Sequence, residues 1–163
     1  MAPHGEVSGA PDGAGIGWSL GVLVRAYRAA VDVIVAPVPH GPRGYEVLAA
    51  VVHGNQPSQL ALAAHLGMDR TVMTYLIDDL VEAGLVERRL NPLDRRARKI
   101  IATGSGVAML TDLERRVRAA EDTLLLRVLD DEGRANFRLT LSRVALDMRE
   151  LSQVEAPDPS EVD

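Results

Sequence analysis

The segment LVERRLNPLDRRARKIIAT, residues 85–103, carries an unusual concentration of positive charge for an acidic chain. The whole protein has a formal net charge of -5, whereas Glu87–Lys99 holds six cationic side chains against two acidic ones. Two runs that favour β-strands, LVERRL and KIIAT, flank the connection NPLDRRAR. The sequence therefore predicts a β-hairpin whose eight-residue connection, 91–98, projects from the protein as a basic flap.

Two short helices separated by a tight turn precede this hairpin. The run LALAAHL follows Ser58 and ends at Gly67, a residue typical of helix termination. Asp69 is a suitable N-cap for the next run, RTVMTYLIDDLVEA, which stops at Gly84. Together these runs form a candidate helix-turn-helix whose entry is at Ser58 and Gln59. Such helix pairs also occur in helical proteins that do not bind DNA.

The spacing of apolar residues predicts which side chains of the two helices face the solvent. The first helix is expected to bury Leu60, Leu62 or Ala63, and Leu66, and the second is expected to bury Val72, Leu76, Ile77 and Leu80. Five side chains are then left exposed near the start of the second helix, namely Arg70, Thr71, Met73, Thr74 and Tyr75. This is the part of a recognition helix that meets base edges in the major groove. The alternative is an ordinary polar helix surface.

The basic hairpin favours DNA binding because it directly follows the candidate recognition helix. Arginine at a hairpin tip can enter an adjacent minor groove, where the negative potential is enhanced. An acidic residue within the cluster is expected to accept hydrogen bonds from a guanidinium or a backbone N–H and to stiffen the loop. The residues assigned to this wing are Arg89, Asp94, Arg95, Arg96 and Arg98. A solvated charged face without a ligand is the alternative.

The segment LAAHLGMDRTVMTYLIDDLVEAGLVERRLNPLDRRARKIIATGSG resembles the MarR family of bacterial winged-helix transcription regulators. The positions that carry the resemblance are Gly67, Thr71, Val72, Asp78, Leu80, Gly84, Leu85, Val86, Arg88, Asp94, Arg95, Arg96, Thr103 and Gly106. The runs VLVRAYRAAVDVIVAP and GYEVLAAV are similar to the family's first two helices, so the resemblance covers about residues 18–151. Asn91, Ala102 and Tyr75 depart from the family pattern, the last at a position that is frequently basic.

The expected fold is mainly α-helical with a small β-hairpin wing, a winged helix-turn-helix flanked by dimerisation helices. Apolar residues recur at steps of three and four over 20–34, 110–124 and 137–151, which predicts a first, a fifth and a sixth helix, each with an apolar stripe. The small central lobe cannot cover all three stripes, so we expect a homodimer. The alternative is that the stripes pack within one chain. The predicted segments are a disordered tail (1–16), a dimerisation helix and loop (17–41), a DNA-binding lobe (42–104), dimerisation helices (105–152) and an acidic tail (153–163).

The resemblance implies a transcriptional regulator, which we expect to be a repressor, that binds a pseudo-palindromic DNA operator as a homodimer. It also implies release of the DNA when a small aromatic or phenolic anion binds between the dimerisation helices and the DNA-binding lobe. The residues that we expect to line such a pocket are Trp18, Arg25, Tyr27, Arg28, His40 and Tyr45.

Other function classes lack support in the sequence. No phosphate-binding glycine loop, nucleophile elbow or zinc-protease motif is present, so we predict neither an enzyme nor a cofactor. No two histidines have the i, i+4 spacing of a helical metal-ligand pair, so no metal site is assigned. Without an apolar run long enough to span a membrane, or a secretory signal, we expect a bacterial cytoplasmic protein, associated with the nucleoid when bound to DNA. A winged-helix module that binds proteins, or a metal-responsive regulator, remains the alternative.

Overall fold

The structure, a computed structural model, describes residues 15–54, 58–91, 94–125 and 128–154. Over these ranges the helices and strands are α1 (Ile16–Val35), α2 (Pro42–His53), α3 (Gln59–Leu66), α4 (Arg70–Glu82), β1 (Val86–Asn91), β2 (Asp94–Ala102), α5 (Gly104–Leu125) and α6 (Asp131–Val154). The predicted fold class, a mainly helical chain with one small β-hairpin, is confirmed. Most of the two predicted tails lies outside the described residues. In the described part of the chain, no helix has the length and apolar character needed to cross a membrane.

The chain divides into two compact units, Met1–Glu121 and Asp122–Asp163. The first unit contains α1 to α4, the hairpin and most of α5. In the second unit, Asp122 at the end of α5 accepts a hydrogen bond from Arg138 of α6 at 2.6 Å and lies 3.5 Å from Arg134 Nε. These charge-assisted contacts join the two helical segments of the second unit.

The caps of the helix-turn-helix include the predicted Gly67 and Asp69, and Ser58 in addition. Ser58 Oγ accepts a backbone N–H at the start of α3 at 3.1 Å, and Gly67 ends α3 in the left-handed conformation with φ 61°. Asp69 Oδ1 accepts the backbone N–H groups of Thr71 and Val72 at 2.7 and 3.3 Å. These two hydrogen bonds hold the pKa of the Asp69 carboxyl below its usual value. The predicted N-cap of α4 is confirmed.

One face of α4 lies in the hydrophobic core of the first unit. Met73, Leu76, Ile77 and Leu80 are each at most 2% exposed, and their i, i+3, i+4, i+7 spacing forms one stripe along the helix. The predictions that Val72 is buried and Met73 is exposed are therefore wrong, since Val72 is 37% exposed and Met73 is 0% exposed. Both positions lie three or four residues before Leu76, so apolar spacing alone allowed either one to complete the stripe.

Helix α3 faces the same core and also lies close to the hairpin. Leu62 and Ala63 are buried, whereas Leu60, which the spacing assigned to the core, is 55% exposed. Ser58, just before α3, forms an isolated antiparallel bridge with Lys99 of β2. The entry of the helix-turn-helix therefore lies beside the second strand of the hairpin.

Strands β1 and β2 form the predicted antiparallel hairpin, but the connection between them is shorter than expected. Their register runs from Val86 opposite Ala102 to Leu90 opposite Arg98, and it shifts before Asn91 meets Asp94. The predicted eight-residue connection, 91–98, is therefore wrong, because β2 begins at Asp94. Polar and charged residues are compatible with a two-stranded ladder whose outer faces are open to water. The basic residues thus lie mainly on paired strands.

The base of the hairpin is held by hydrogen bonds of Thr103. Its hydroxyl donates to the carbonyl of Gly84 at 2.7 Å and accepts the N–H of Gly106 at 3.0 Å, near the start of α5. Gly106 is buried so closely against the turn that an added Cβ would lie 2.0 Å from the Leu85 carbonyl oxygen. The approach of α5 to this turn therefore requires glycine at position 106.

We expect Gly106→Ala to reduce the free energy of unfolding by about 1–3 kcal/mol, because the backbone of α5 must move away from Leu85. Gly104→Ala is the matched control, since a Cβ at Gly104 would meet nothing within 4 Å. Urea denaturation of both variants measures the difference. Equal unfolding midpoints for Gly106→Ala and the wild type would contradict this account of the packing.

Candidate DNA-binding surface and ligand cleft

The N-terminal half of α4 presents only some of the predicted base-contacting residues to the solvent. Arg70 and Thr71 are exposed, and Tyr75 is 63% exposed. Thr74 is half-buried. Met73 belongs to the core, so its assignment to the base-contacting surface is wrong. The exposed set keeps one cation, a hydroxyl and a phenol close to the capped end of the helix.

Thr74 and Gln59 form a polar contact between the two helices of the helix-turn-helix. Gln59 Nε2 donates to Thr74 Oγ1 at 2.6 Å, and the Thr74 hydroxyl donates to the carbonyl of Arg70 at 2.9 Å. These hydrogen bonds fix the side chain of Gln59, and those of Ser58 and Asp69 serve as helix caps. The two entry residues therefore have structural roles, and their contact with DNA stays a prediction.

An ion pair joins α4, the candidate recognition helix, to the hairpin. Arg88 of β1 lies 2.6 Å from Asp78 of α4, and its side chain is only 24% exposed. An adjacent arginine, Arg89, is 67% exposed and pairs with Glu87 at 2.5 Å. The Asp78–Arg88 ion pair gives one of the two adjacent carboxylates of α4 a structural role. This contact holds the base of the basic hairpin against the helix that would enter the major groove.

The remaining wing residues differ in how far the structure describes them. Arg98 on β2 is exposed to solvent. The backbone of Asp94, Arg95 and Arg96 belongs to β2, and their side chains lie outside the described residues. The role of these four residues in DNA contact stays a prediction.

A cleft with a volume of about 1020 Å³ lies between α1, the α1–α2 loop, α2 and the turn before α4. Four of the predicted pocket residues line it, namely Tyr27, Arg28, His40 and Tyr45. Trp18 and Arg25 are not among its lining residues, although both lie on α1. Sequence spacing did not indicate the contribution of Arg43, Leu66, Met68 and Val72, because these side chains meet only after folding.

The two tyrosines of the cleft are neutral hydrogen-bond donors. Partial burial raises the pKa of Tyr27, and the carboxylates of Glu121 and Glu46 raise it further. Burial also raises the pKa of Tyr45, with a second contribution from Glu114. Protonated phenols can donate to an anionic group, and Arg28 and Arg43 in the same lining add positive charge.

The loop between α1 and α2 contacts α4 through a histidine. His40 has a φ of 63°, in the left-handed region that few residues other than glycine adopt. Its Nε2 atom lies 2.5 Å from Asp79 Oδ2, and the same side chain lines the cleft. Sequence reasoning placed His40 in the pocket but missed this contact, which joins residues 39 positions apart.

Another histidine contacts a carboxylate of α5. His53 Nε2 lies 2.6 Å from Glu114 Oε1. Among the residues that the structure describes, no three histidine, cysteine, aspartate or glutamate side chains are grouped so that they could hold a metal ion.

The fold and sequence are similar to those of known regulators. A family model described as "MarR family" matches residues 42–97. A solved transcriptional regulator of the MarR family from Rhodococcus sp. RHA1 is 31% identical, with a TM-score of 0.67 over 80% of this chain and 91% of that chain. The chain belongs to the MarR family. The family and fold are those of transcriptional regulators rather than enzymes.

Two further relatives of this MarR-family protein are informative. CouR from Rhodococcus jostii RHA1, solved bound to p-coumaroyl-CoA, is 32% identical, with a TM-score of 0.64 over 80% of this chain and 91% of that chain. A transcriptional repressor also named CouR, bound to a 23-mer DNA duplex, is 26% identical. Its TM-score is 0.69, over 91% of this chain and 99% of that chain. A curated Thauera aromatica protein, named as a proposed transcriptional regulatory protein for the hcr operon, is 28% identical over 109 residues, which span 67% of this chain and 66% of that protein.

We expect Thr74→Val to lower the free energy of unfolding by about 1 kcal/mol, because Gln59 Nε2 and the Arg70 carbonyl both lose a hydrogen-bond partner. Tyr75→Phe, which removes a hydroxyl from the more exposed neighbouring residue, should leave the unfolding free energy unchanged. Chemical denaturation provides the measurement. A Thr74→Val protein as stable as Tyr75→Phe would show that this contact does not stabilise the helix-turn-helix.

Proposed function

We propose that this MarR-family protein is a sequence-specific regulator, acting as a repressor, that binds a pseudo-palindromic DNA operator as a homodimer. The observation that carries the proposal is the Asp78–Arg88 ion pair, which joins an exposed helix surface to an arginine-bearing hairpin. A helix fits the major groove, and a wing beside it can contact the backbone or the neighbouring minor groove.

The exposure and charge of their side chains suggest different DNA contacts for α4 and for the wing. Arg70, Thr71 and Tyr75 are available for contacts in the major groove, where side chains distinguish base pairs. Arg98 and Arg89 lie on the strands of the wing, where guanidinium groups can bind phosphates. The structure of the related repressor CouR bound to a 23-mer DNA duplex supports the binding of double-stranded DNA.

The homodimer is supported by apolar side chains that a single chain leaves in water. In α1, Ile16 is 80% exposed and Val33 is 76% exposed. In α6, Leu139, Leu146 and Met148 are each more than half exposed. Burial of such patches against a second copy is favourable, and a two-fold axis would place the recognition helices about 34 Å apart on successive half-sites.

The ligand that fits the cleft is an aromatic acid or its thioester with coenzyme A. The two phenols and the arginines Arg28 and Arg43 suit an anionic group, and Val24, Val31 and Val72 provide apolar surface for a ring. A cleft of about 1020 Å³ exceeds what a single phenol requires. The structure of CouR bound to p-coumaroyl-CoA supports this ligand class. Binding of such a ligand in the cleft would release this protein from its operator.

We expect DNA selection from a random pool to yield a two-fold related motif, and binding to weaken steeply between about 50 and 200 mM salt because arginines displace counterions. Arg98→Ala should weaken binding to all sequences alike and reduce the salt dependence by about one counterion, as should Arg95→Ala and Arg96→Ala. Arg70→Ala should instead change the selected motif. Fluorescence anisotropy with the selected duplex measures these affinities.

Arg115→Ala is the control for charge, because Arg115 is an exposed arginine of α5 that pairs with Asp112 and lies outside the proposed interface. It should bind the selected duplex as the wild type does. Failure to select any DNA, or equal affinities for Arg98→Ala and Arg115→Ala, would contradict the proposed role of the wing.

A further inference from the structure

We propose that the His40–Asp79 contact couples the cleft to the recognition helix. An anionic ligand that binds the His40 imidazole in the cleft would displace Asp79, release α4 from the α1–α2 loop and weaken DNA binding. The inference rests on the proposed function. It adds the two side chains, His40 and Asp79, through which ligand binding in the cleft would affect α4. Four observations carry it.

The first observation is that the loop presents His40 from a fixed backbone. Val38 is 1% exposed, and the N–H of Gly41 donates to its carbonyl at 2.8 Å. A Cβ on Gly44 of α2 would lie only 1.8 Å from the Pro39 carbonyl oxygen, so loop and helix are in close contact. The left-handed backbone of His40 costs energy in a residue other than glycine, and the surrounding packing maintains it.

The second observation is that His40 belongs to two sites. Its side chain lines the cleft, and its Nε2 atom lies 2.5 Å from Asp79 Oδ2. A ligand carboxylate or phosphate that takes the N–H of this nitrogen excludes the same hydrogen bond to Asp79. A ligand bound at Nε2 and the contact with α4 are therefore alternatives.

The third observation concerns the position of Asp79 on α4. It adjoins Asp78, and side chains of consecutive helical residues point about 100° apart. Asp78 binds Arg88 of the wing, whereas Asp79 binds His40 of the loop. The second half of α4 is thus held from two directions, and loss of one contact changes the placement of the helix relative to the wing.

The fourth observation is the charge distribution of the cleft. Arg28 and Arg43 share the lining with His40, and their guanidinium groups attract an anion to the cleft. Asp32, Glu46 and Asp69 also line it, so an anionic group is expected to bind where it meets these cations or the His40 imidazole.

The test compares Asp79→Asn, His40→Asn and Glu82→Gln with the wild type. Asparagine at position 40 tolerates the left-handed backbone but removes the imidazole. Glu82→Gln removes a negative charge from the same helix at an exposed position outside the contact. Affinity for the selected duplex is measured alone and with p-coumarate or p-coumaroyl-CoA, and affinity for each probe is measured calorimetrically without DNA.

We expect Asp79→Asn and His40→Asn each to weaken DNA binding about two- to fivefold, because the contact joins partly exposed groups. Glu82→Gln should bind DNA as well as the wild type or better. Asp79→Asn should also bind the probes about two- to fivefold more tightly, since Asp79 no longer competes for His40, whereas His40→Asn should bind them more weakly. In both variants the probes should reduce DNA affinity less than in the wild type.

Each other outcome overturns the inference. Equal DNA affinities for Asp79→Asn and Glu82→Gln would show that the His40–Asp79 contact does not affect DNA binding. If the wild type still binds DNA in that case, the proposed function is unaffected. Weaker binding of both DNA and probes by Asp79→Asn would indicate a purely structural role. Wild-type DNA binding that neither probe changes would remove the coupling. A wild-type protein that binds no selected duplex would overturn the proposed function as well.

Discussion

The rotation of α4 about its own axis is the constraint on which the remaining features depend. Burial of the stripe Met73, Leu76, Ile77 and Leu80 fixes this rotation, because turning the helix would expose apolar surface at about 25 cal/mol per Å². The same rotation turns the exposed N-terminal side chains outward, Asp78 toward the wing and Asp79 toward the α1–α2 loop. The hydrophobic core thereby decides which polar residues are free to recognise a ligand.

Polar contacts then define how the hairpin and the neighbouring helices meet α4. Thr103 closes the base of the hairpin, Gly106 brings α5 against the turn, and Gln59 joins α3 to Thr74. Each of these contacts can be weak, because the hydrophobic core already places the helices and strands that it joins next to each other. Together with the Asp78–Arg88 ion pair, these contacts hold the hairpin and α3 beside α4.

The sequence alone was sufficient for the fold class and for the helix caps at Gly67 and Asp69. It was insufficient where two positions satisfy the same spacing, as Val72 and Met73 do beside Leu76. It also overestimated the hairpin connection, because charged residues such as Arg98 do not look like a strand unless their partner strand is known. Contacts between distant residues, above all His40–Asp79 and the cleft lining beyond α1, leave no periodic pattern and required the folded chain.

The most direct measurement of the central claim is cleavage of bound DNA from an iron chelate tethered at single cysteines. The chain contains no cysteine, so Tyr75→Cys and Arg98→Cys each provide one attachment point, with Arg115→Cys as the control. We expect cleavage within each half-site from position 75, cleavage in the flanking minor groove from position 98, and none from position 115. Cleavage from only one of the first two positions, or equal cleavage from all three, would show that helix and wing do not contact the duplex together.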